Sequence, residues 1–214
     1  MSGRSGTAAE EPGAGHDGLA NAIFWAKSRL LIARRMLRNL AGGARRYRPR
    51  RLAAVPEGAA LLARDEHRLY SAADPRERAL ELGKVQNLRV AAAALDGIVL
   101  EPGETFSFWR AVGRATRAKG YVVGRELRQG CMIPSIGGGV CQLTNALSRV
   151  AHQAGMEIVE RHSHSVHPPG FFIDTDTDAT VFWNYIDFRF RSPARVRIGA
   201  VLTEATLVVR LDAL

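Results

Sequence analysis

Apolar and polar positions recur with two different periods along this chain, and each change of period marks an expected change of structure. Ile23, Leu30, Leu37, Ile32, Met36 and Leu40 recur at helical spacing, with Lys27, Arg34 and Arg38 close together on the other side. Gly42 and Gly43 supply the stop. Arg29 interrupts the apolar face, and Phe24 and Leu31 stray toward the basic one, so the amphipathicity is imperfect. Between Pro56 and Ala94 the spacing predicts two more helices. The second opens with Asp74 as N-cap and Pro75 as first helical residue, and Leu80, Leu82, Val85, Leu88 and the run Val90 to Leu95 keep it buried until Asp96-Gly97 turns the chain.

Strand patterns follow. Ile98 to Leu100, a Pro102-Gly103 turn and Thr105 to Phe108 read as two short strands, with Tyr121 to Val123 a third. Three consecutive glycines, Gly137 to Gly139, then lead into a helical pattern whose Leu143, Leu147, Val150 and Ala154 share a face, with Gly155 as its stop. Glu157 to Glu160 reads as a strand and Val166 to Gly170 as a Pro-Pro-Gly bend. Asp178 to Phe190 reads as one long alternating strand that hairpins into Arg195 to Leu202 and Thr206 to Leu211. Helices followed by strands, without repeated βαβ alternation, predict an α+β fold: N-terminal helices, a central helix starting at Gly-Gly-Gly-Val-Cys, and a mainly antiparallel sheet.

At 214 residues, with 46% apolar and 24% charged positions, the chain fits one ordinary globular domain with an appendage. The net charge of +9 invites a nucleic-acid reading until its distribution is considered. Residues 1 to 55 carry eleven basic and three acidic side chains, whereas the remainder carries 19 and 18. The body therefore has no electrostatic reason to seek phosphate backbones, and no nucleic-acid partner is expected. The expected organisation is a disordered Gly, Ala and Ser-rich tail over 1–18, a basic amphipathic helix and linker over 19–55, and one domain over 56–214. The basic helix either lies on an anionic membrane surface, through residues 23–51, or packs on its own domain with solvated arginines. No apolar run approaches the roughly 18 to 20 residues that span a bilayer, and Asn39 to Arg46 offers no apolar segment after the Arg34-Arg35 pair of the kind a twin-arginine signal carries. The location read from the sequence is cytoplasmic, or peripheral on the cytoplasmic face of the membrane.

Two cysteines are too few for a disulfide framework or a four-thiolate metal site. Cys131 sits in an apolar stretch and reads as an inert thiol. Cys141 follows the glycine triplet at a helix start, where backbone N–H groups and the helix dipole favour thiolate. Glycines there let a substrate backbone approach and turn N–H groups toward an oxyanion, so Gly138, Gly139 and Gln142 are the candidate oxyanion or substrate-binding residues. A base for the cysteine is offered downstream by Arg161-His-Ser-His-Ser-Val-His167. His162 and His164 fall on one face of a strand, either could meet Cys141, and Asp178 is best placed to orient the ring. Cysteine, histidine and aspartate in this order give the layout of cysteine peptidases. The same histidines with His167 and the aspartates also spell a metal site, but that would leave Cys141 idle, so neither metal nor cofactor is expected.

Asn87 with its alanine-rich helix, Pro102-Gly-Glu-Thr-Phe-Ser-Phe108, Val112-Gly113, Gly120-Tyr121, Gly137-Gly-Gly-Val-Cys-Gln142, Glu160-Arg161 with His164-Ser165, and Asp178-Ala-Thr180 together resemble the VanW family, over roughly Glu77 to Phe190. VanW-like proteins are encoded in some glycopeptide-resistance gene clusters, so the resemblance implies a link to peptidoglycan or its precursors. Some members are thought to act as cysteine-dependent L,D-transpeptidases. By that resemblance Cys141 is the nucleophile, His164 the family histidine and Asp178 the family aspartate, and the partner is a peptidoglycan stem peptide or precursor. The alternative reading is a non-catalytic module that binds muropeptides or a cell-wall enzyme at the membrane surface.

Overall fold

The computed structural model describes residues 49–70, 77–128, 131–164, 176–183 and 185–214, and in the N-terminal quarter residues 23, 26, 27, 29–35 and 37. The chain divides into two compact units, Met1–Ala44 and Arg45–Leu214. In the first, every described residue from 23 to 37 is helical, as the spacing predicts, and Ile23, Leu30, Leu31 and Leu37 are exposed. The tail over 1–18 and the stop at Gly42-Gly43 lie outside the described residues.

The second unit is α+β, and all its strand pairings among the described residues are antiparallel. Five strands form the main sheet: β1 (Arg50–Arg51), β2 (Ala60–Arg68), β3 (Ile98–Leu100), β9 (Val196–Leu202) and β10 (Thr206–Ala213), in the order β1-β3-β9-β10-β2. A second sheet runs β4-β8-β7, from β4 (Thr105–Ser107), β7 (Glu157–Glu160) and β8 (Arg189–Arg191); β5 (Val123–Arg128) and β6 (Cys131–Ile136) make a separate pair. Helix α1 (Arg78–Leu95) packs on β9 and β5. A short α2 (Phe108–Val112) follows β4, and α3 (Cys141–Gln153) packs on β2 and β10. The core lies between helices and sheet: Leu88, Ala91 and Leu95 of α1 and Leu143, Leu147 and Val150 of α3 meet Ile198, Leu207, Val209 and Leu211 in complete burial.

Local chemistry explains several boundaries. Asp96 closes α1 as expected, its N–H donating to Ala92 O, and Ser107 begins α2 by accepting from the Arg110 N–H. The Asp74-Pro75 cap and the Pro-Pro-Gly bend lie outside the described residues.

Four expectations are corrected. The first of the two helices expected between Pro56 and Ala94 is instead strand β2, paired from Ala60↔Ala213 to Arg68↔Thr206. Leu61 and Leu62 stay exposed, while Ala63 and Leu69 are buried. Residues 178 to 190 form no long strand: the segment turns on paired Phe182 and Ile186 backbones, and only Arg189–Arg191 joins a sheet. Asp187 stops the alternation because its buried carboxylate accepts from Ser107 Oγ at 2.6 Å, the Trp109 N–H at 3.1 Å and Arg189 Nε at 2.7 Å. The strand expected at Tyr121 begins at Val123 and pairs with Cys131–Ile136, a strand the pattern does not announce. Arg50 and Arg51, expected in the linker, pair with Val99 and Ile98 as an edge strand of the main sheet.

Candidate active site

Cys141 is the first residue of α3, and the chain reaches it through a turn built for close contact. Gly139 has φ +99°, a conformation that L side chains rarely adopt, and a Cβ there would meet Lys84 Cγ at 2.2 Å. At Gly138 a Cβ would meet Gly124 O at 2.4 Å. Asn87 of α1 is fully buried beside this turn. Its Nδ2 donates to Gly138 O at 3.0 Å and to Val122 O at 3.0 Å, while its Oδ1 accepts the Val122 N–H at 2.8 Å. The glycines thus let the head of α3 press against α1 and β5.

The oxyanion candidates also have structural partners. The Gly138 N–H donates to Ser135 O at 3.0 Å, and Gln142 Nε2 donates to Arg68 O at the end of β2, at 2.9 Å. Gly139 packs on the Lys84 stem. The absence of Cβ serves packing first, and the Gln142 amide ties α3 to β2.

Cys141 itself is partly buried, with Sγ 3.6 Å from Thr180 Oγ1 and 3.9 Å from Val181 O. The first turns of α3 hold the segment that carries Asp178. Thr144 Oγ1 donates to Ala179 O at 2.5 Å, Asn145 Oδ1 accepts the Ala179 N–H at 2.7 Å, and the Thr180 N–H donates to His162 O at 2.7 Å. Arg161 Nη1 donates to Asp178 O at 2.8 Å. Asp178 is buried, and both of its oxygens are directed at one residue: the His164 N–H donates to Oδ2 at 2.6 Å, and His164 Nδ1 lies 2.9 and 3.0 Å from Oδ1 and Oδ2. Cys141 is close enough to the imidazole to act on its protonation. With Nδ1 committed to the carboxylate, Nε2 is the nitrogen left for the sulfur.

The Asp178 carboxylate, then Cys141, outweigh the cost of burial and push His164 up to about 10. That shift favours the imidazolium form of the ring. His164 and Asp178 are thus in direct contact, with Cys141 near enough to influence the ring. His162 does not join them: it is exposed and 3.4 Å from Glu160. His167 and the Cys131 side chain lie outside what is described.

Thr144, Asn145 and Val181 go unmarked in the sequence, whereas Arg161 and Thr180 stand in it only as members of the Glu160-Arg161 and Asp178-Ala-Thr180 blocks. Thr144 and Asn145 lie three and four positions after Cys141, the spacing at which helical side chains share a face, and that is the available signal. The block that holds Thr180 gives it no partner.

Residues 83–211 match the family described as VanW like protein. That match covers more than half of the chain. The chain belongs to the VanW-like family. It is 40% identical over 106 residues to the uncharacterized protein YoaR of Bacillus subtilis (strain 168), covering 50% of this chain and 34% of that protein. It is 37% identical over 112 residues to the vancomycin B-type resistance protein VanW of Enterococcus faecalis (strain ATCC 700802 / V583), covering 51% of this chain and 41% of that protein. The chain thus matches less than half the length of either VanW-like relative. No solved structure matches it, so the likeness to cysteine peptidases extends to residue order alone. Among the described residues, no helix is long and apolar enough to cross a membrane.

Proposed function

We propose that this VanW-like protein is a cysteine-dependent acyl transferase or hydrolase acting on peptidoglycan stem peptides or their precursors. The observation that carries the reading is the His164 ring held through Nδ1 by the buried Asp178 carboxylate, in the neighbourhood of Cys141. The name of the Enterococcus relative supports the cell-wall substrate.

In this reading the Cys141 thiolate attacks an amide carbonyl carbon of the stem peptide. A C–S bond forms, and the electron pair moves to the carbonyl oxygen, where the N–H of Cys141 at the head of α3 is the nearest helical donor. As the intermediate collapses, the C–N bond breaks and His164 gives its Nε2 proton to the departing amine. An incoming amine or water then attacks the thioester, His164 takes up its proton, and the C–S bond breaks to return the thiolate. Asp178 keeps the proton on Nδ1 and the ring in place.

Incubating the full chain with a muropeptide and measuring intact mass tests this. An adduct on Cys141 that Cys141→Ala abolishes is the expected result. No adduct, together with wild-type behaviour of Cys141→Ala in cells, would overturn the catalytic reading in favour of a non-catalytic muropeptide-binding module.

The N-terminal unit carries a second proposal, that it docks on an anionic membrane surface. Ile23, Leu30, Leu31 and Leu37 are exposed on a helix that also carries Lys27, Arg29 and Arg34.

A further inference from the structure

Two oxygens flank Cys141 Sγ, and they differ in chemistry. Val181 O, at 3.9 Å, is a carbonyl: it accepts from a thiol S–H and repels a thiolate. Thr180 Oγ1, at 3.6 Å, is a hydroxyl, which accepts from a thiol and donates to a thiolate. Its position is fixed from both sides. The Thr180 N–H is held by His162 O, and the preceding residue, Ala179, has its N–H and C=O bound by Asn145 and Thr144 of the helix that carries Cys141. The hydroxyl therefore keeps station with the sulfur.

We infer that the Thr180 hydroxyl is a donor to the Cys141 thiolate, and that Val181 O is the acceptor for the neutral thiol. The inference deepens the reading of Cys141 as nucleophile and rests on it for its catalytic meaning. On loss of the proton, the sulfur exchanges a bond to Val181 O for one from Thr180, so the site answers both protonation states with a fitted partner. A hydrogen bond to an ionised acceptor is stronger than one to a neutral group, so removing this donor raises the cost of forming the thiolate. The charged groups around the sulfur remain when the hydroxyl is removed. They are His164 with Asp178 behind it, Arg161 on Asp178 O, and, from α1, Lys84, whose stem packs under Gly139 while Nζ donates to Leu69 O.

The test needs no substrate. Alkylation of the full chain by iodoacetamide is followed across pH, with peptide mass separating Cys141 from Cys131. The acid limb of the Cys141 rate profile should move up by about one pH unit in Thr180→Val, roughly tenfold slower below the midpoint, and return toward wild type in Thr180→Ser. Should Thr180→Val fail to fold by circular dichroism, Thr180→Ala is the hydroxyl-free variant and should show the same shift. A hydroxyl-free variant whose profile superimposes on wild type overturns the inference. A shifted limb without any muropeptide adduct keeps the thiolate donor and removes the catalytic reading. An adduct without a shifted limb does the reverse.

Discussion

The ion pair between His164 and Asp178 makes the site's chemistry visible in stability. His164 rises from 6.5 to about 10 through its bond to Asp178 and then to Cys141. A folded value above the unfolded one means that the protonated ring stabilises the fold, fully below pH 6.5, and that this contribution is lost as pH climbs toward 10. Lys84 runs the other way. Burial and then the neighbouring Arg125 hold its ammonium down to about 8 against the opposing pull of Glu81, so its penalty is full below pH 8 and relieved toward 10.5. The total pH trend therefore mixes two opposed terms, but the gap between wild type and His164→Gln isolates one of them. Thermal melts should show that gap widest near pH 6 and shrinking as pH approaches 10; a constant gap would mean that the ring gains nothing from its charge. At this scale the sequence carried part of the site. A cysteine after a glycine triplet at a helix start was legible because helix termini have known electrostatics. Spacing left His162 and His164 equivalent, and the resemblance picked His164; what separates them in space is Asp178, fourteen residues away, and a backbone bond from His164 itself.

Elements meet at the glycine turn, and Asn87 is where the contact between α1, the β5 approach and the head of α3 is concentrated. Replacing it by alanine strips the partner from the Val122 N–H and from Gly138 O, while Val122 O keeps the Gly137 N–H, in a place without room for a side chain at Gly138. Each buried backbone group left without a partner costs about 1–3 kcal/mol. Urea denaturation of Asn87→Ala should therefore show a loss of about 2 kcal/mol or more. A loss under about 1 kcal/mol would mean that water replaces the amide. The elements also show why period alone misleads. Helices α1 and α3 were legible because a helix covering a sheet must show a continuous apolar stripe. Strand β2 was not, because Leu61 and Leu62 are exposed at the sheet's edge and only tertiary pairing with β10 decides their conformation. Residues 178 to 190 failed in the opposite sense. Their alternation is genuine, yet Thr180 faces a cysteine and Asp187 a cluster of donors, so polar positions that a strand would show to water are turned inward.

For the whole molecule, charge asymmetry located an appendage but misplaced its end. The sequence draws the body from Pro56, because Arg45 to Arg51 continue a basic run. Arg51, however, wraps the end of α1, donating to Ala94 O at 2.5 Å and Asp96 O at 2.9 Å. The Leu52 N–H donates to Gly97 O at 2.8 Å, and Leu52 O accepts from the buried Arg197 at 3.0 Å. A basic pair on an edge strand is indistinguishable by composition from one in a solvated linker, and only carbonyls at the far end of α1, 43 and 45 residues along the chain, define which it is. Two truncations separate the roles. A chain beginning at Arg45 should melt with the full protein, since that is where the compact body begins. One beginning at Pro56 removes the strand and leaves Arg197 without its Leu52 acceptor. It should melt about 5–10 °C lower, on the scale of 2–4 °C per kcal/mol for a domain of this size. Sedimentation with anionic vesicles then reads the appendage cleanly. The full chain should bind and release with salt, and the Arg45 truncation should lose that binding at an unchanged melting temperature. If the Arg45 truncation still binds, the membrane contact belongs to the body, and the excess charge of the first quarter serves only solubility.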